Sequence, residues 1–160
     1  MLSWIMQRLT CCIVALLLLV VSGGLVYKFI LQGDVTPASD GRLVILMPEG
    51  ERDLVLAEMR SFLASVRSVA AAVEKDDADA LAEAARLSGM SAGREMPGSL
   101  VGRLPLEFKR LGLDTHRRFD QMALDAEQMG DMQLSLQQLI QVLDNCVSCH
   151  AAYRIDRMAE

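Results

Sequence analysis

The sequence predicts an all-α protein: an antiparallel up-down four-helix bundle preceded by an N-terminal transmembrane or signal helix. Three observations carry this. Beyond Pro48, apolar residues recur at steps of three and four, the period of a helix with one buried face. The chain is 52% hydrophobic but only 4% aromatic and is rich in Met, Leu and Ala, a composition that favours helix over sheet. From Leu9 to Tyr27 there are 19 residues without a charge, about the length needed to cross a bilayer.

That first stretch, residues 1–31, reads as a membrane anchor or signal segment. Arg8 precedes it, so the start stays inside and the rest is exported. Val21-Ser22-Gly23 is a passable cleavage site, but cleavage there leaves an apolar start, Gly-Leu-Val-Tyr-Lys-Phe-Ile-Leu. Tyr27, Lys28 and Phe29 look like an interfacial anchor, which favours an uncleaved span. Cys11 and Cys12 are small apolar fillers within it. All 21 acidic residues follow residue 33, whereas Arg8 and Lys28 among the 16 basic ones precede it, so the part after residue 33 carries a net −7. An acidic surface argues against nucleic acid and mildly favours a basic protein partner.

Residues 32–47 read as a linker, with Gly, Pro, Ser and Asp and no period. Leu43–Met47 is an apolar run that either packs on the domain or forms a brief strand. Residues 48–160 form the bundle. Pro48 and the acidic Glu49 and Glu51 open a first helix to about Glu74. Its seam is Val55, Met59, Phe62, Val66, Val69 and Val73. Lys75-Asp76-Asp77 ends it and caps a second helix from about Ala78 to Met90, with Leu81, Ala84, Ala85 and Ser88 on one side. Ser91 to Leu106 is a crossover loop, with Leu106–Leu111 as at most a turn of helix. A third helix starts near Asp114 and stops at Gly130, its inner side Phe119, Met122, Ala123, Ala126 and Met129. The fourth follows Asp131 to about Arg157, with Leu136, Leu139, Ile140, Leu143, Val147, His150 and Tyr153 on one face. His116, at the start of the third helix, reads as a capping or surface residue.

The motif that organises the chain is Cys146-Val147-Ser148-Cys149-His150. Two cysteines three apart with a histidine next is the spacing for covalent haem attachment. Each thiol adds across a vinyl group and becomes a thioether, and the neutral imidazole of His150 binds the iron. A zinc site needs about four ligands, and outside the motif the chain offers only His116, Cys11 and Cys12. A thioredoxin-like pair belongs in a βαβ context, whereas this motif closes a helical pattern. No Ser-His-Asp, paired-carboxylate or phosphate-loop constellation points to an enzyme.

Only ten residues follow His150, so a second axial ligand must come from upstream. In an up-down bundle the start of the first helix and the end of the fourth share one end. Met59 lies about 15 Å from that end and His150 about 10 Å at 1.5 Å per residue. Met122 on the third helix is also level. Geometry leaves these two methionines.

A helical domain with CVSCHAAYR, Cys146 to Arg154, on its last helix resembles the class II cytochromes c, the cytochrome c′ and cytochrome c-556 family, over roughly Pro48 to Arg157. The handful of residues Met59-Arg60-Ser61-Phe62-Leu63 resembles the Met-Arg pair that supplies the sixth ligand in the low-spin branch. In the high-spin branch that site is empty and guarded by a bulky apolar residue. The resemblance implies one haem c, held by Cys146 and Cys149 and ligated by His150 and Met59, with Arg60 and Arg154 available to the propionates and Tyr153 packing near the ring. It implies electron transfer on the periplasmic side of a bacterial inner membrane with a redox partner protein. The alternatives are a five-coordinate protein that binds nitric oxide or carbon monoxide, and a structural haem subunit of a membrane complex. A homodimer is left open. The membrane anchor and the LVILM segment depart from the family pattern.

Overall fold

The computed structural model describes residues 2–158, which are mostly helical with one small sheet. Helix α1 (Leu2–Val26) continues as a π-helical turn, Tyr27–Gln32. Strands β1 (Val35–Pro37) and β2 (Leu43–Met47) follow. Then come α2 (Glu49–Glu74), α3 (Ala78–Arg86), a 3-10 turn (Ala92–Glu95), α4 (Gly98–Arg103), α5 (Leu106–Met129), α6 (Met132–Ala152) and β3 (Tyr153–Arg157). The stretch Met6–Gln32 is long and apolar enough to be a membrane span or a signal sequence, and none of it is buried.

The helices start and stop for local reasons. Asp77 accepts from the Ala80 amide at 2.9 Å and caps α3. Gly130 takes the left-handed conformation (φ 61°) that closes α5, and Asp131 then caps α6 by accepting from the Gln133 and Leu134 amides. On α2, Val55, Phe62 and Val69 of the expected seam are buried, and Met59, Val66 and Val73 are partly so. Helix α2 packs on α3 and α6, and α5 packs on the same two.

Several expected boundaries shift. The third helix, expected from Asp114, begins at Leu106. Gly112 does not interrupt it, and Asp114 is not a cap: it accepts from Asn145 (2.9 Å) and pairs with Arg118 (2.5 Å). The expected crossover loop contains α4 and a 3-10 turn. The second helix stops at Arg86 and continues as hydrogen-bonded turns through Gly89. The fourth helix ends at Ala152 instead of near Arg157. Tyr153 turns extended (φ −129°, ψ 152°), and Tyr153–Arg157 pairs in parallel with β2, Leu43 against Tyr153 through Met47 against Arg157. The expected linker thus holds two strands, and the sheet order is β1-β2-β3. Along β2, Val44, Ile45 and Met47 are all buried, as befits a central strand covered on both faces.

Two apolar clusters result. One joins α2, α3, α5 and α6 around Phe62, Leu81, Phe119, Met122 and Leu139. The other joins the sheet to α2, α4 and α5 through Ile45, Met47, Val55, Leu100 and Phe108. Among the described residues, Met59 is the partly buried side chain packed against both.

Candidate functional site

Bordering both clusters is an open cavity of about 610 Å³, within the range of cofactor sites. Three helices line it. From α2 come Leu56, Met59, Arg60, Phe62, Leu63 and Val66, and from α5 come Leu111, Gly112 and Thr115. Leu143, Asn145, Cys146, Val147, Cys149 and His150 come from α6. Leu143, Cys146, Val147 and His150 follow the i, i+3, i+4, i+7 spacing of one helix side, and Cys149 lies three residues after Cys146 on the same side of α6. Asn145 donates to Asp114 and to the Thr115 hydroxyl (3.3 Å), tying α6 to α5 at the cavity wall.

The cavity therefore brings together Cys146, Cys149, His150, Met59 and Arg60. Burial pushes the Cys146 thiol up, and burial together with Cys146 pushes Cys149 up to about 11, so both are neutral thiols at physiological pH. Among the described residues, no group of three or more His, Cys, Asp or Glu side chains could hold a metal ion. The donor set suits a group that brings its own equatorial ligands and is flat and apolar. Haem meets that description, and the cavity's apolar walls, paired thiols and imidazole fit it.

A smaller cavity of about 210 Å³ shares Leu56, Met59, Cys149 and His150 with the first and adds Arg42, Phe108, Tyr153, Arg154 and Ile155. Tyr153 meets the Phe108 ring edge-on at 5.5 Å, and burial raises its phenol above the usual range. Arg154 pairs with Asp156 and lies 3.8 Å from Asp40. Sequence reasoning missed Arg42. Its guanidinium pairs with Asp40 at 2.7 Å and donates to the His150 carbonyl at 3.5 Å, a contact 108 residues apart in sequence. Only the β2–β3 pairing makes the two neighbours, and nothing local in the sequence signals it.

Met122 is fully buried in the helical cluster and does not line the cavity. His116 is not a surface or capping residue. It is 5% exposed, its Nδ1 lies 2.8 Å from the Ser88 carbonyl, and its Nε2 lies 3.2 Å from Glu58. The expected inner face of α6 is split: Leu139 is buried with Val142, while Leu136, Ile140, Leu143 and Val147 are exposed. Leu143 and Val147 are exposed because they line the open cavity. The chain matches no family model, no curated protein and no solved structure.

Proposed function

We propose that the chain is a membrane-anchored c-type cytochrome of the class II kind, with one covalent haem, acting in electron transfer on the periplasmic side of the inner membrane. The observation that carries this reading is a single apolar cavity lined by Cys146, Cys149 and His150 from α6 and by Met59 from α2. In this reading α2, α3, α5 and α6 are the four helices of an up-down bundle, and the sheet closes its open end. Cys146 and Cys149 would hold the group by thioethers, and His150 and Met59 would bind its iron. Bound there, haem supplies one-electron exchange at its iron. The remaining residues orient it and keep water out. Leu56, Phe62, Leu63 and Val66 cover one side of the cavity, and Tyr153 packs at its end. Arg60, which has no carboxylate within ion-pair distance among the described residues, takes a propionate, with Arg154 at the other end. The partner is a redox protein with a basic surface, matched to the acidic domain.

The test is mass spectrometry and visible spectroscopy of the full chain made with a haem-ligation system. One covalent haem, lost when Cys146 and Cys149 are changed to Ser, is expected. An unmodified mass with free thiols overturns the reading. Met59→Ala is expected to turn a low-spin spectrum high-spin and admit carbon monoxide. Met122→Ala leaves the spectrum unchanged and costs only stability, roughly 2–5 kcal/mol for a buried Met. One observation favours the second reading, a five-coordinate gas-binding protein: Met59 packs on both clusters, and packing alone accounts for its presence. A wild type that is already high-spin selects that reading.

A further inference from the structure

We propose that the end of the apolar helix and the folded domain form one rigid joint, which lays α4 and the start of α5 against the headgroup surface of the bilayer the helix crosses. The inference rests on the anchor reading of residues 1–31 and is independent of haem.

There is no slack at the joint. The helical turn ends at Gln32, and Gly33 is already buried against the domain. Gly33 has φ +68°, and a Cβ there would lie 2.3 Å from the Arg103 carbonyl oxygen and 2.6 Å from the Pro105 nitrogen. Both are backbone atoms, so only glycine allows this approach. The Gly33 amide donates back to the Lys28 carbonyl at 3.0 Å, and the Asp34 amide donates to the Arg103 carbonyl at 2.7 Å. One residue therefore separates the last turn of the span from a backbone bond to α4.

Side chains from three helices hold the same point. Lys28 pairs with Asp34 at 2.9 Å, Arg103 of α4 pairs with Asp34 at 2.8 Å, and Arg103 also meets Glu51 of α2 at 3.0 Å. From α5, Lys109 donates to the Phe29 carbonyl at 3.0 Å and the Ile30 carbonyl at 3.3 Å. These are carbonyls of the helix's last turn, where a cation meets the negative end of the dipole. A flexible tether has no use for such ties.

The geometry also names the surface. The end of a membrane span sits at headgroup depth, where Tyr27 and Lys28 are suited to lie. A Cβ added at Gly102 would lie 3.7 Å from the Phe29 ring, so α4 lies beside that last turn. Val101 of α4 is exposed on this side, and Arg110 of α5, also exposed, pairs with Glu107 at 2.7 Å, so in the proposed arrangement Val101 meets the lipid and the Glu107–Arg110 pair meets the headgroup layer.

The test is hydrogen exchange of the full chain in nanodiscs of phosphatidylethanolamine and phosphatidylglycerol. Amides of residues 28–34 are expected to exchange at least about 100-fold more slowly than an unstructured chain. A variant with an eight-residue Gly-Ser spacer after Gln32 is expected to exchange faster at residues 98–110, with α2 and α6 unchanged. The double variant D34N/K109A, which keeps the chain length, is expected to speed exchange at 28–34 alone. Free-chain rates at 28–34 in the wild type overturn the joint. Equal rates at 98–110 in wild type and spacer variant overturn the lipid contact. A soluble chain beginning near Gly24 overturns the anchor reading and the inference with it, whereas a membrane-bound chain with a fast joint overturns the inference alone.

Discussion

Both ring nitrogens of His116 face acceptors, the Ser88 carbonyl at 2.8 Å and the Glu58 carboxylate at 3.2 Å. A carbonyl can only accept, so with Glu58 ionised the ring carries both protons. Burial opposes that charge, but Glu58 and the Ser88 and Gly89 backbone outweigh it, and the imidazole is held above its ordinary 6.5. A histidine whose folded value is raised contributes stability that is fully present below about 6.5 and is lost as pH rises through the folded value. Urea unfolding of the wild type is therefore expected to weaken with rising pH above 6.5, and His116→Phe is expected to lack that component. The substitution leaves the partly buried Glu58 without its partner and costs about 1–3 kcal/mol. Equal pH slopes for the two proteins rule out the charged pair. The pair joins α2, α5 and the turn after α3 beside Phe62, whose ring lies 4.9 Å from the imidazole, so it also steadies one wall of the cavity.

At the scale of elements, β3 shows where sequence reading stops. Val147, His150 and Tyr153 continue the three-residue step of a helix, and the seam reads through to Arg157. The same residues also alternate: Tyr153 and Ile155 pack on the sheet cluster, while Arg154 and Asp156 pair with each other. Five residues satisfy both periods, and the choice falls to a partner strand more than a hundred residues away. That non-local pairing is invisible in local pattern, as is the early start of α5, where tertiary packing overrides Gly112. By contrast α2 was legible to its last residue, because its seam, its acidic start and Lys75-Asp76-Asp77 all agree. Removing residues 153–160 uncovers Ile45 and Met47, both fully buried, and takes away Tyr153 and Ile155. Loss of those two side chains alone costs roughly 3 kcal/mol, equivalent to a fall in melting temperature of about 6–12 °C for a chain of this size. A truncated protein that melts with the wild type would show that β3 adds nothing to the fold.

On the scale of the whole molecule, the cavity residues were legible and the cavity was not. Cys146, Cys149, His150 and Met59 stand out by spacing and by resemblance, whereas Arg42, Asn145 and Thr115 reach the same region only through the fold. What the structure adds is that the cavity is open and borders two apolar clusters instead of lying within one core. Helix α2 runs through both, but Met59 is the partly buried side chain they share, and the space around it is lined by Leu56, Phe62 and Cys149. Two clusters that share the helices α2, α5 and α6 but meet side chain to side chain at one flexible Met are expected to loosen separately unless something fills the cavity beside them. Calorimetry of the chain without haem is therefore expected to show two transitions. The sheet cluster, which has fewer buried residues, melts first, and the α2–α3–α5–α6 cluster follows. If a covalent group fills the cavity, it is expected to couple the clusters and merge the transitions at a higher temperature, because its apolar surface is buried against them only in the folded state. Met59→Ala widens the separation in the chain without haem, since it removes the shared contact. A single transition in that chain, with calorimetric and van't Hoff enthalpies equal, would mean that the shared helices α2, α5 and α6 couple the clusters by themselves and that the cavity plays no part in the cooperativity of the fold.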